Sequence, residues 1–133
     1  MQMDAQALFA MNWDTDIIRQ HELTGDEMAV LSSSLTNADE GLSSTGEAMT
    51  NTRPVVCETH FYDKGDVMHL DTGSQPNFEP MEIGVPELQP FWSAAFSFAR
   101  GHFVVNVPYD MYQPMIFSGE EISVAIRAFS MGY

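Results

Sequence analysis

An α/β fold, a sheet with flanking helices, is what the sequence predicts, and three observations carry the prediction. Between Pro54 and Tyr62, Val55, Cys57, Thr59 and Phe61 alternate with Val56, Glu58, His60 and Tyr62, the period of two expected of a half-buried strand. Near the other end, Ile122, Ala125, Ile126 and Phe129 fall at i, i+3, i+4 and i+7, one stripe of an amphipathic helix. The 133 residues, 44% of them hydrophobic, suit a single modest domain with its own core.

The elements follow in order. Met1–Asp4 reads as the end of a strand, and Ala5–Asn12 as an irregular stretch rich in Met and Phe. Asp14 is the expected N-cap of a short helix running to about His21, with Asp16 in a first turn where negative charge suits the helix dipole. Ala29–Ser33 has strand character. Residues 34–52 are Ser, Thr, Asn, Gly and acid with few apolar anchors, so a flexible, solvated acidic loop is expected there. Lys64-Gly65-Asp66 offers a hairpin turn from the alternating strand into Val67–Leu70. Pro76, Pro80, Pro86 and Pro90 then exclude a helix from residues 71–90. The final helix, over about 119–131, has a capping box in Ser118-Gly119-Glu120-Glu121 and a stop at Gly132.

Composition removes several classes of function. Five basic residues against 19 acidic ones leave a net charge of −14, a field that repels phosphate backbones, so nucleic acid is excluded as a partner. The longest nearly apolar run, Phe91 to Ala99, falls far short of the roughly 20 residues that span a bilayer, so no membrane insertion is expected within the chain. One cysteine, Cys57, permits no internal disulfide and points to a reducing, cytoplasmic setting. Of the 19 acids, 16 lie in residues 1–90. The denser apolar material lies after them.

There is no P-loop, GxGxxG, HExxH or paired CxxC, and no Ser nucleophile elbow, which leaves carboxylate chemistry. Asp4 stands at a strand end, where sheet enzymes present groups to ligands. His21, His60, His69 and His102 show no metal-ligand spacing and read as structural or surface residues. Trp92 is open to two roles, core packing or stacking on a ligand beside the small residues Ser93, Ala94 and Ala95. The two glutamates divide: Glu121, three residues after Ser118, is explained by the capping box, whereas Glu120 is free to face a ligand at the loop-to-helix junction.

Three motifs in order, Phe91-Trp-Ser-Ala-Ala-Phe-Ser-Phe-Ala-Arg-Gly-His102, Asn106-Val-Pro-Tyr-Asp110 and Pro114-Met-Ile-Phe-Ser-Gly-Glu-Glu-Ile-Ser-Val-Ala-Ile-Arg127, strongly resemble the cytosolic hydroxyproline N-acetylglucosaminyltransferases. That family is similar in turn to the polypeptide N-acetylgalactosaminyltransferases, whose glycine-glutamate motif before a helix looks like Ser118-Gly119-Glu120. Met1–Gln6 with Trp13-Asp14 resembles the segment that carries the family's metal motif. Asp4 matches its first acid, while Gln6 stands where the family usually has His or another ligand, and a neutral amide holds a hard cation less well.

The resemblance implies a portion of a GT-A type nucleotide-diphospho-sugar transferase domain, the part of its mixed sheet that follows the first nucleotide-binding βα units, incomplete and inactive as supplied. It implies transfer of N-acetylglucosamine from UDP-N-acetylglucosamine to a protein hydroxyl with retention. Glu120 would be the catalytic carboxylate; Trp92, Ser93, Ala94, Ala95, Phe96, Asp110 and Gly119 would bind substrate; and Asp4 with Gln6 would hold Mn²⁺ or Mg²⁺. The competing expectation is a non-catalytic acidic binding module of the same fold.

Overall fold

The computed structural model describes residues 1–49, 56–61, 68–72, 84–117 and 119–133, with backbone alone along 57–61 and 68–72. Its elements are β1 (Gln2–Met3), α1 (Trp13–Leu23), β2 (Leu31–Ser32), α2 (Ala38–Gly41), β3 (Val56–Phe61), β4 (Met68–Thr72), β5 (Phe96–Phe98), α3 (His102–Asn106) and α4 (Glu120–Ser130). The expected turn at 64–66 lies outside the described residues.

Two antiparallel sheets result. In one, β5 is central, pairing with β1 through Gln2↔Ser97 and Met3↔Phe96 and with β2 through Leu31↔Phe98 and Ser32↔Ser97. The other is the β3–β4 ribbon, in register from Glu58↔Asp71 to Phe61↔Met68. Gln89 links the two: its Nε2 donates to the Ser32 carbonyl at 2.8 Å, and its Oε1 accepts the Val56 N–H at 3.4 Å.

Helix α1 begins two residues before the expected start. Its N-cap is Asn12, in the left-handed region at φ 62° with no side-chain cap, so both Asp14 and Asp16 fall inside the first turn. Asp16 spends its carboxylate on Arg19, at 2.7 Å, and on Gln20, at 2.5 Å. The Arg19 hydrogen bond holds the Asp16 carboxyl below its ordinary value.

The expected loop 34–52 carries local structure in its described part, residues 34–49, and residues 50–52 lie outside the described residues. Asn37 caps α2 by accepting the Asp39 N–H at 3.1 Å, Ser43 Oγ accepts the Thr45 and Glu47 amides at 3.2 and 3.0 Å, and Leu42 bridges Ala48. Short polar side chains that argue against a helix or strand in fact build local turns with the backbone.

The core gathers Trp92, Phe103, Val107, Val124 and Ala128, with Val30, Ala94, Ala99, Ala125 and Tyr133 packed around it. Phe103 lies within α3, a helix the sequence did not announce, and Val107 is its C-cap. In α4 the buried face is Val124 and Ala128, whereas Ile126 and Phe129 of the expected stripe are 64% and 83% exposed. The periodicity located the helix but not its inward side: small residues at 124, 125 and 128 let the backbone approach Trp92 and Phe103 closely, and that fit outweighs the larger apolar side chains.

The end of α4 is as expected. Gly132, at φ 89°, donates to the Phe129 carbonyl at 3.2 Å while the Tyr133 N–H reaches the Ala128 carbonyl at 3.0 Å, a Schellman closure. Its start differs: the N-cap is Gly119 at φ 97°, with no side-chain cap. Ser118 lies outside the described residues.

Candidate functional site

Strand β5 and the segment before it position the site. The Ser93 amide donates to Ser32 Oγ at 2.7 Å, Ser32 Oγ donates back to the Ser93 carbonyl at 3.1 Å, and the Ala95 amide donates to Ser93 Oγ at 3.2 Å. Ser93 is thus a buried splice between β2 and β5. Trp92 beside it is 6% exposed and packed in the core, with Nε1 meeting no acceptor among the described residues. Ala94, Ala95 and Phe96 are half-buried.

From this segment two bonds reach the acids. Ala95 accepts the Asp4 N–H at 3.0 Å, setting Asp4 just past β1, and Ala94 donates its N–H to Glu121 Oε1 at 2.7 Å. Glu121 therefore ties α4 to the Ser93–Ala95 segment, a partner 27 residues away; the expected cap with Ser118 lies outside the described residues. A carboxylate accepting an amide N–H makes a charge-assisted bond, stronger than a neutral one.

Glu120, next in line, is half-buried in the first turn of α4. Its carboxyl is pushed above its ordinary value, first by burial and then by the negative charges of Glu121 and Asp4. The structure thus brings Asp4, Glu120 and Glu121 into one field across 116 residues of sequence. The same field reaches Tyr109, whose phenol is pushed up first by burial and then by Glu120 and Glu121, against the lowering effects of its hydrogen bond with Gln2 and of the Arg127 charge. Tyr109 Oη donates to Gln2 Oε1, so β1 and the Pro108–Asp110 segment meet at the acids.

A cavity of about 260 Å³ opens beside Glu120, lined by Tyr109, Asp110, Met115, Ser123 and Arg127 among others. Arg127 holds its wall by donating to the Pro108 carbonyl through Nη1 and, more weakly, to the Ser123 carbonyl at 3.4 Å through Nε. Asp110 accepts the Tyr112 N–H at 2.8 Å, which shapes the turn. Gly119 is the N-cap of α4, and a Cβ built there meets nothing within 4 Å, so backbone conformation rather than crowding calls for glycine.

Glu120 and Asp110 therefore line the cavity, Gly119 is the N-cap before Glu120 and not part of the lining, Asp4 joins Glu120 through charge, and Ala94 and Ala95 form the backbone between Asp4 and Glu121. Trp92 and Ser93 are committed to packing. Sequence reasoning missed Tyr109, Gln2 and Arg127; only Tyr109 carried a signal, its place beside Asp110 in the second motif.

Asp4 and Gln6 do not compose a metal centre from the chain alone. Gln6 is exposed, and among the described residues no three His, Cys, Asp or Glu groups gather as ligands. One carboxylate and one amide are few for a hard divalent cation, which takes six or more oxygens.

No curated protein and no solved structure matches the chain. A family profile described as Glycosyltransferase (GlcNAc) matches residues 1–133, every position of the chain. With Tyr109, Asp110 and Glu120 lining one cavity, and above all with a match that covers the whole chain, one conclusion follows: the chain belongs to the GlcNAc glycosyltransferase family.

Proposed function

We propose that the protein transfers N-acetylglucosamine from UDP-N-acetylglucosamine to a protein hydroxyl with retention, within a GT-A type domain. In this reaction the bond from the anomeric carbon to UDP breaks and a bond to the acceptor oxygen forms. The hydroxyl proton leaves with UDP. Positive charge gathers on the sugar at the transition state. The observation that carries the reading is Glu120 at the cavity, with Asp4 and Glu121 acting on it. Three carboxylates that repel one another in the resting site gain when positive charge develops between them, an interaction larger in the transition state than in the ground state.

The chain's residues have distinct tasks in this reading. Glu120 faces the sugar, Glu121 and Ala94 hold its helix at the β5 segment, and Tyr109 and Asp110 shape the opposite wall. No step passes through a metal: the Mn²⁺ or Mg²⁺ that the resemblance implies would need donor phosphates to complete its shell on Asp4. A cytoplasmic setting is part of the proposal, supported by the lone cysteine; among the described residues no helix is long and apolar enough to cross a membrane.

A second reading, an acidic binding module without turnover, is favoured by the exposed Gln6 at the metal motif. Incubation with UDP-N-acetylglucosamine and hydroxyl-bearing peptides separates the two. Transfer predicts UDP release coupled to a peptide mass gain of one N-acetylhexosamine and an α linkage by NMR. Peptide binding without UDP release supports the module.

A further inference from the structure

We propose a zinc site on the β3–β4 ribbon, formed by Glu58, His60, His69 and Asp71 and separate from the acids around Glu120. The pairing register is the observation. Glu58 faces Asp71, and His60 faces His69, in an unbroken antiparallel register; the single irregularity lies before it, between Val56 and Glu58. Residues two apart on a strand share a face, and so do directly opposed residues. The four chemistry-bearing residues therefore occupy one face as a two-by-two array, and Thr59, Phe61, Met68 and Leu70 occupy the other.

This array is invisible along the chain, where Glu58-x-His60 and His69-x-Asp71 are separated by eight residues in a mirrored order. Folding the ribbon converts a scattered pair of histidines into neighbours. Opposed positions have Cβ atoms roughly 4.5–5.5 Å apart, a spacing from which two imidazoles can ligate one ion. Two imidazoles and two carboxylates are a tetrahedral nitrogen-oxygen donor set, which suits Zn²⁺; imidazole favours Zn²⁺ over the hard Mg²⁺ and Ca²⁺. The physical return is register. A two-stranded ribbon is marginal by itself, and an ion bridging both strands fixes which residues face each other.

The test uses the 133-residue chain and Zn²⁺ alone, by calorimetry, with Co²⁺ as a spectroscopic substitute. One Zn²⁺ per chain is expected, with the intense visible bands of four-coordinate Co²⁺. His60→Thr and His69→Thr keep strand-favouring residues and should each weaken binding by about tenfold or more. Asp4→Asn should leave binding unchanged. Absence of Zn²⁺ binding by the parent, an affinity equal to the parent's in either threonine variant, or loss of binding in Asp4→Asn overturns the site. If the threonine variants do not fold, the Glu58→Gln/Asp71→Asn pair retains both imidazoles and removes both charges. Weaker Zn²⁺ binding by that folded pair supports the site, and unchanged binding overturns it.

Discussion

Residues 37–48 hold themselves together through Asn37, Ser43 and the Leu42–Ala48 bridge, none reaching further than 6 positions along the chain. The surroundings of Glu120 depend on bonds from Asp4 to Ala95, Ala94 to Glu121 and Tyr109 to Gln2, the last spanning 107 residues. The first region carries Asp39, Glu40 and Glu47 on these local turns, with the Met11 N–H donating to the Gly46 carbonyl at 2.8 Å as a tie to the start of the chain. Among the described residues the second leaves the Glu120 carboxylate without a hydrogen-bond partner and sets the charges of Glu121 and Asp4 against it. Acidity alone therefore does not make the site; the long-range ties that hold acids near one another do.

The sharpest way to break this contrast is Glu120→Gln, which keeps the shape and removes the charge. Turnover should fall by about 100-fold or more, because the lost interaction is made chiefly in the transition state. Its stability should move the other way with pH. The folded carboxyl lies above its ordinary value of 4.5, so the folded state keeps a proton that the unfolded chain has released, and stability falls as pH rises through that window. The Gln variant lacks this loss, so its unfolding midpoint relative to the parent should rise between pH 4 and pH 7.

Glu121→Ala tests the long-range tie itself. The Ala94 N–H loses its acceptor, at a cost of about 1–2 kcal/mol, and thermal unfolding should register it as a drop of several degrees. Glu121→Gln retains an acceptor oxygen and should recover much of the loss. Full stability in the alanine variant would leave the tie without energetic weight.

Gly119→Ala forces a side chain into the left-handed region at φ 97°, with an expected cost of about 1 kcal/mol by denaturant titration. Asn37→Ala is the smallest change. It removes a local cap, should cost about 0.5 kcal/mol, and should leave turnover untouched; a matching fall in turnover would join the two regions that the comparison separates.

What was legible in the sequence was local. Helix α4 announced itself through first-turn acids and the left-handed Gly132, and the β3–β4 ribbon through alternation. The inward side of α4 was not legible, because Val124 and Ala128 win it by fitting Trp92 and Phe103, which lie elsewhere in the chain. For the same reason the bond from Ala94 to Glu121 was not legible, since its partners lie 27 residues apart. At the site, composition pointed to carboxylates as a class. The meeting of Asp4 with Glu120 depends on the pairing of β1 with β5, and nothing in either residue's neighbourhood encodes it.

Tyr133 closes the far end of α4: its hydroxyl bonds His102 Nδ1 at 2.6 Å and Asn106 Nδ2 at 2.9 Å, while Glu121 fastens the near end to Ala94. An 11-residue helix is roughly 16 Å long, so it works as a lever between these two anchors. A tilt of about 4° at the Tyr133 end carries Glu120 through about 1 Å, a displacement that costs on the order of 100-fold when a reacting geometry is at stake. The Tyr133 bonds to α3 thus fix the far end of the helix whose first turn carries Glu120.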